Sequence, residues 1–286
     1  MTEHEHWDIE IKPKTNWFRF NLREVWAYRD LISQFVRRDI VAVYKQTLLG
    51  PVWFLIQPIL TTVVFTFIFG RIAKLAPGQV PDVLFYMAGI IPWTYFSECL
   101  IKTSTTFTGN ASIYGKVYFP RLVIPISVVF SSLAKFGVQM ILFLGTYLYY
   151  VLFMDYQPVA NATLFLFPLV ILLMGGLGLS LGIFISSLTT KYRDLGFLVA
   201  FGVDLLKFAS TLVFPFSIIM SQTQKTIIGL NPMTSVIETF RYGFLGEKAA
   251  VFSWEALAYS TSFMGIMFVV AVLIFNRVEK SFMDTV

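Results

Sequence analysis

The sequence predicts an all-α integral membrane protein with six transmembrane helices, and two observations lead to this prediction. Hydrophobic residues make up 56% of the 286 residues and charged residues only 14%, whereas soluble domains carry about 25% charged residues. The apolar residues are also gathered in long intervals with few charges, and a helix that crosses a bilayer needs about 20 such residues. We therefore expect a multi-pass protein.

Six intervals satisfy the length and composition of a membrane span. The first follows a Gly-Pro corner, where Pro51 suits a first helical turn and Trp53 suits the headgroup level. The third is interrupted only by Lys135, and no polar turn divides it, so we treat it as one helix. The predicted spans are about 50–70, 83–106, 122–154, 164–187, 195–220 and 256–276.

The distribution of Lys and Arg predicts the orientation, because cytoplasmic loops carry the excess of basic residues. If the N-terminus is cytoplasmic, fifteen of the 22 basic residues lie on that side, counting Lys102 near the cytoplasmic end of the second span; five lie on the other side, and Lys135 and Lys207 are embedded. Both termini are therefore expected inside the cell. The net charge of +5 then reflects topology, and no nucleic-acid partner is expected, since no basic soluble domain accompanies it.

The chain before the first span divides into two parts. Residues 1–20 form a polar tail, and residues 21–45 place apolar and basic side chains on opposite halves of a helical wheel. Asn21 followed by Glu24 fits the start of such a helix. We expect a cytoplasmic interface helix lying on membrane lipids, and a basic amphipathic anchor without a further role is the alternative.

The sequence offers little for bond chemistry. Its only histidines, His4 and His6, lie in the polar tail, so no metal site or catalytic histidine is expected in the membrane. No phosphate-binding loop occurs, so the chain is not expected to hydrolyse ATP by that device. No catalytic residue and no cofactor are predicted. Ionisable residues within spans usually face a bundle interior or a water-filled path. They are Glu98, Lys102, Lys135, Asp204 and Lys207.

Two of these embedded charges have a simple explanation. Asp204 and Lys207 stand three residues apart on one predicted helix, and we favour mutual neutralisation over a substrate or proton role.

In the fourth span, Gly178, Gly182 and Ser186 recur every four residues. Small residues at this spacing predict close packing against another helix.

The segment 231–246 predicts a short helix before the last span. Asn231 suits the N-cap and Pro232 the first turn, and apolar residues follow at helical spacing. Because the segment is too short to cross a bilayer, we predict that it dips into the outer leaflet as a re-entrant or interfacial helix. Glu238 and Arg241 share a face of this helix and could pair.

Three stretches resemble a known family. "LGPVWFLIQPILTTVVFTFIFGRI" at 49–72, "SSLTTKYRDLGFLV" at 186–199 and "LNPMTSVIETFRYGFLG" at 230–246 are similar to the ABC-2 type permeases that export lipid-linked polysaccharides, which include O-antigen, capsule and teichoic-acid exporters. The resemblance implies that residues 46–286 form an ABC-2 type transmembrane domain in the bacterial inner membrane. It also implies a homodimer, separate ATPase subunits that bind ATP and magnesium, and a glycan conduit.

The resemblance assigns roles to particular residues. Asn231, Pro232, Glu238 and Arg241 would belong to the exit gate. Trp53, Phe54, Tyr95 and Phe96 are candidates for lining the channel, because aromatic rings stack on sugars. The alternative is that such aromatic residues only anchor the chain at the membrane interface or face lipid. Coupling to the ATPase would use residues of two cytoplasmic loops, namely Asn110, Ile113, Tyr114, Lys116, Lys191, Arg193 and Asp194.

The first of these loops is the preferred coupling element. Asn110 or Ser112 can cap a short helix there. Ile113 and Tyr114 would then form an apolar tip suited to the centre of an interface, or would simply rest on lipid headgroups.

Two other functions stay open at this stage. A drug or small-lipid exporter of the ABC-2 type would have the same architecture. A membrane-embedded transferase acting on lipid-linked sugars would need acidic residues or histidines clustered at one leaflet, and the sequence shows no such cluster.

Overall fold

A computed structural model describes residues 22–45, 50–114, 116–157, 161–189 and 194–281. In these ranges the chain is helical and contains no strand. The α-helices are α1 (Leu22–Ala27), α2 (Arg29–Lys45), α3 (Trp53–Phe65), α4 (Asp82–Ser104), α5 (Thr106–Gly109), α6 (Ala111–Tyr114), α7 (Val123–Phe153), α8 (Phe167–Thr189), α9 (Leu195–Phe208), α10 (Gln222–Gly229), α11 (Pro232–Leu245) and α12 (Trp254–Ser281).

Five of the described helical segments are long and apolar enough to cross a membrane. In the first, α3 continues as a π-helix, and in the fourth, α8 follows a 3-10 turn. The multi-pass, all-helical fold predicted from composition is therefore confirmed. The five segments are Trp53–Ile72, Asp82–Ser104, Val123–Phe153, Ala162–Thr189 and Trp254–Arg277.

The remaining predicted span, 195–220, has a different structure. Its helix α9 contains 14 residues, which corresponds to about 21 Å and is shorter than a full crossing. Turns and a 3-10 turn at Phe216–Ile218 follow it. A long, mostly apolar sequence interval therefore does not by itself distinguish a continuous helix from a broken one.

Helix α4 forms the centre of the subunit. It packs against α8, α7, α11 and α3, and most of its side chains are buried. In contrast, α3 and α12 keep most of their side chains at the surface. The main core consists of apolar residues from α4, α7, α8 and α11.

The contact between α4 and α8 depends on the small residues that the sequence singled out. A Cβ atom added at Gly178 would lie 2.5 Å from the Cys99 Cβ and 2.9 Å from the Phe96 carbonyl oxygen, and one added at Gly182 would lie 2.5 Å from the Thr103 Cβ. Only glycine permits this approach. The predicted close packing is confirmed.

The amphipathic segment is two helices instead of one. The helix breaks at Tyr28, between α1 and α2. Val25 and Phe35 are buried in a second core that also contains Phe119, whose ring centre is 6.0 Å from that of Phe35. The interface helices therefore pack directly onto the ends of the spans. Asn21 lies outside the described residues.

Candidate functional sites

Helix α11 begins as the sequence predicts. The Met233 amide donates a 3.0 Å hydrogen bond to the Asn231 side chain, and Pro232 occupies the first turn. The helix ends at Leu245, before Gly246 adopts a φ of 78°, a conformation that favours glycine. Its 14 residues are enclosed by α4, α8 and α12. The predicted cap is confirmed.

Arg241 anchors α11 to its surroundings. Its guanidinium is completely buried and donates hydrogen bonds to three backbone carbonyls, those of Phe85 at 3.2 Å, Leu212 at 2.9 Å and Thr211. The guanidinium carbon lies 3.8 Å from the centre of the Phe85 ring. Gly89 leaves room for this group, because an added Cβ would collide with it. Arg241 thus ties α11 to α4 and to the irregular backbone that follows α9.

Glu238 completes the buried polar cluster. One carboxylate oxygen lies 3.8 Å from the Arg241 guanidinium, and the other accepts a 3.0 Å hydrogen bond from the Val251 amide. The predicted pairing of Glu238 with Arg241 is confirmed. Burial raises the pKa of the Glu238 carboxyl, while the charge of Arg241 and the Val251 hydrogen bond oppose that rise. The pair fixes the loop before α12 to α11.

The predicted coupling loop folds as two short helices, α5 and α6. The Asn110 side chain donates a 2.9 Å hydrogen bond to the Thr106 carbonyl, so it closes α5. The Asn110 carbonyl accepts hydrogen bonds from the Ile113 and Tyr114 amides. Ile113 is partly buried in the second core. This backbone arrangement holds the loop in a compact form between two spans.

The expectation that Tyr114 forms an exposed tip is wrong. Its ring is buried, stacks on Phe119 with ring centres 5.5 Å apart, and its hydroxyl donates a 3.2 Å hydrogen bond to the Arg121 carbonyl. Burial within this core stabilises an aromatic ring more than exposure to water does.

Two other apolar residues of this loop are exposed. Val117 and Tyr118 are 59% and 60% exposed and follow the exposed Lys116. Sequence reasoning missed them because Val117, Tyr118 and Phe119 form one apolar run, and only the fold shows that Phe119 alone turns inward.

The second predicted coupling loop is described only at its end. Asp194 is exposed and directly precedes α9, and its side chain makes no capping hydrogen bond. Lys191 and Arg193 lie outside the described residues. The coupling roles of these residues stay predictions.

The four aromatic channel candidates separate into two pairs. Trp53 is 47% exposed, and it lines a cavity of about 400 Å³ together with Phe54. In contrast, Tyr95 and Phe96 are buried in the subunit, and the Tyr95 ring packs 5.2 Å from that of Phe136. Tyr95 and Phe96 therefore fill the interior around α4, and the channel-lining role of these aromatic residues stays a prediction.

The embedded charges outside α11 form two groups. Glu98 binds Lys102 at 2.6 Å and Lys135 at 2.9 Å. Asp204 and Lys207 lie 3.8 Å apart, as the neutralisation hypothesis predicted. Within the described ranges, no group of histidine, cysteine, aspartate and glutamate side chains could hold a metal ion.

Comparison with known proteins identifies the class of this fold. Residues 30–245 match the model of the ABC-2 type transporter family. Since this range covers most of the chain, the protein belongs to that family. The resemblance seen in the three sequence stretches is therefore confirmed.

The relatives include named export proteins. An O-antigen export system permease protein RfbA from Myxococcus xanthus is 28% identical over 229 residues, covering 79% of this chain and 85% of the relative. Two proteins of that name from Klebsiella pneumoniae are 27% and 26% identical over 258 residues, covering 89% of this chain and 94% of each relative.

Proposed function

We propose that this chain is the permease subunit of an ABC transporter that exports O-antigen, or a similar lipid-linked polysaccharide, across the bacterial inner membrane. The observation that carries the proposal is its similarity to O-antigen export permeases over nearly their whole length. Five apolar helices in the described ranges agree with a transport role.

The proposal includes a sixth crossing, with both termini in the cytoplasm. This crossing is α9 followed by irregular backbone up to about residue 220. Non-helical backbone is tolerated at membrane depth only where protein or water satisfies it. Ser210, Thr211 and Leu212 are completely buried, and Arg241 binds two carbonyls of this stretch. Arg241 thereby supplies the donors that a broken span requires, and α11 is re-entrant beside it.

The energy comes from a separate ATPase in this proposal, because the sequence has no phosphate-binding loop. ATP and magnesium bind to that partner and not to this chain. The surface proposed for the contact is the loop around Lys116, where Val117 and Tyr118 expose apolar area. Exposed aromatic and aliphatic groups are suited to the buried centre of an interface.

The conduit requires a second copy of the chain. Surface-exposed apolar residues cover α3, and Trp53 stands at its start. Two subunits that face each other through such helices would enclose a path whose walls can stack on sugars. The permease itself makes and breaks no bond in this scheme.

Deletion of the gene tests this function. We expect the source bacterium to lose the polysaccharide from its surface and to accumulate the lipid-linked polymer at the cytoplasmic face, and a plasmid copy should restore export. A normal surface polysaccharide, together with increased sensitivity to small toxic molecules, would instead identify a drug exporter.

A further inference from the structure

A crevice between α3 and α7 contains two cavities that follow one another along α7. The first has a volume of about 400 Å³ and lies beneath α2, where Asp39 and Ser131 approach each other to 3.4 Å. The second has a volume of about 570 Å³ and lies farther along α7. Near their junction, the Gln139 side chain donates a 3.3 Å hydrogen bond to the Phe54 carbonyl. The two helices are therefore held in register at this point.

Two lysines in the first cavity share one carboxylate. Lys102 and Lys135 both bind Glu98, and Asp39 is neutralised by Arg38 at 2.8 Å. Two lysines of the lining thus share the carboxylate of Glu98, whereas Asp39 is paired with Arg38, which is not a lining residue. A lysine ammonium has three N–H donors, so contact with Glu98 leaves donors on both lysines for another acceptor. Since Lys135 is mostly buried and sits 5.6 Å from the Phe54 ring centre, the charge is fixed in place.

The second cavity is almost entirely apolar. Its walls come from one residue of α3 and from one face of α7, and Gly145 opens the wall because nothing lies within 4 Å of a Cβ added there. The wall residues are Leu55, Val138, Ile141, Leu142, Gly145, Thr146 and Tyr149. A polar end with two lysines therefore continues into an apolar track.

We propose that this crevice binds an anionic phospholipid from the leaflet on which α2 lies. Lys102 and Lys135 hold its phosphate, Trp53 stands at the headgroup level, and one acyl chain follows α7. From Lys135 to Tyr149 the helix rises about 21 Å, which exceeds one leaflet of a hydrocarbon core about 30 Å thick. All the residues that line the crevice belong to one chain, so the site does not require a second copy.

A variant that fills the second cavity tests the proposal that an acyl chain lies along α7. The full chain, purified in detergent and stripped of lipid, is titrated with phosphatidylglycerol and analysed by native mass spectrometry. We expect Gly145→Leu to weaken lipid binding at least about tenfold. The leucine side chain would displace part of the acyl chain, and the loss of two buried methylene groups corresponds to about that factor. Gly137→Leu is the matched control, since Gly137 is also an open position on α7 and does not line the crevice. Equal binding by both variants would overturn the proposal.

The charged end is tested by lipid preference. The wild-type chain should prefer phosphatidylglycerol to phosphatidylcholine with the same acyl chains. Replacing both lysines, Lys102→Gln with Lys135→Gln, should reduce that preference about 25-fold, because each basic residue contributes about 1 kcal/mol to binding of an anionic lipid. Lys207→Gln, which removes an embedded lysine elsewhere, should leave it unchanged.

Two further probes identify the ligand. Inorganic phosphate at the same concentration should not displace phosphatidylglycerol, because it cannot occupy the apolar track. Displacement by inorganic phosphate, or binding of a polyprenyl phosphate without any binding of phosphatidylglycerol, would contradict the proposed occupant.

Discussion

Helix α4 is held on two sides by contacts of opposite chemistry. On the α8 side, Gly178 and Gly182 bring two helices into backbone contact without any charge. On the α11 side, a fully buried Arg241 joins α4 to backbone carbonyls at 211 and 212. The difference shows that one helix can be fixed by removing side-chain volume on one side and by adding a buried charge on the other.

The two contacts should respond differently to substitution. The glycine contact has no room for an added atom, whereas the arginine contact cannot lose its donors without leaving carbonyls unpaired. Breaking a buried ion pair by removing one partner is among the most destabilising single changes. The arginine side should therefore be the more sensitive of the two.

The largest effect is expected for Arg241→Met. The change leaves Glu238 buried without its cation and removes all three carbonyl contacts, and we expect a loss of about 3–5 kcal/mol in unfolding free energy. Thermal unfolding of the detergent-purified chain measures it. Lys207→Met, at a more exposed ion pair, is the control, and equal melting temperatures for the two variants would contradict the buried role.

The glycine contact is tested by Gly178→Leu. The new side chain would meet Cys99 and the Phe96 carbonyl, so we expect a loss of about 1–3 kcal/mol from overpacking. Gly202→Leu on α9 should cost little, because an added Cβ there has nothing within 4 Å. Thermal unfolding compares the two variants. A melting temperature of Gly178→Leu equal to that of the wild type would show that α4 and α8 can move apart at little cost.

A smaller effect is expected where α11 begins. Asn231→Ala with Pro232→Gly removes the bond to the Met233 amide and the rigid first turn, and cap loss costs about 1 kcal/mol. We expect reduced export with normal co-purification of the ATPase, because this end lies on the far side in the proposed topology. If the variant no longer co-purified with the ATPase, α11 would have to lie on the cytoplasmic side, which would contradict the proposed topology.

The smallest effect on stability is expected at the cytoplasmic loop. Val117→Asp with Tyr118→Ala alters two exposed side chains, and surface changes usually stay within about 0.5 kcal/mol. If the loop couples to the ATPase, co-purification or export should fall sharply while the melting temperature stays constant. Phe165→Ala, at another exposed aromatic, is the control. Normal export with a normally bound ATPase would show that this loop is not the coupling element.

The sequence predicted the contacts that repeat along one helix. Gly178 and Gly182 stand four residues apart, and Asn231 directly precedes Pro232, so local spacing identified both the packing face and the cap. Glu238 and Arg241 share one turn of α11, and for the same reason their pairing was predictable.

Contacts between distant residues could not be predicted in this way. Arg241 reaches Phe85, which lies 156 positions away, and its acceptors are backbone carbonyls that any residue type provides. The burial of Tyr114 likewise depends on where Phe119 lies after folding. Composition shows that residues 195–220 are apolar, and only the packing around α9 shows that their helix is interrupted.

Reconstituted transport provides the most direct test of the proposed function. Proteoliposomes that contain this chain and its ATPase would be loaded on one side with lipid-linked polysaccharide, and a lectin on the other side would report its appearance. We predict a signal that requires ATP and both proteins, and that disappears when either is omitted. Transport by this chain alone, or ATP-dependent efflux of a small molecule with no movement of polysaccharide, would contradict it.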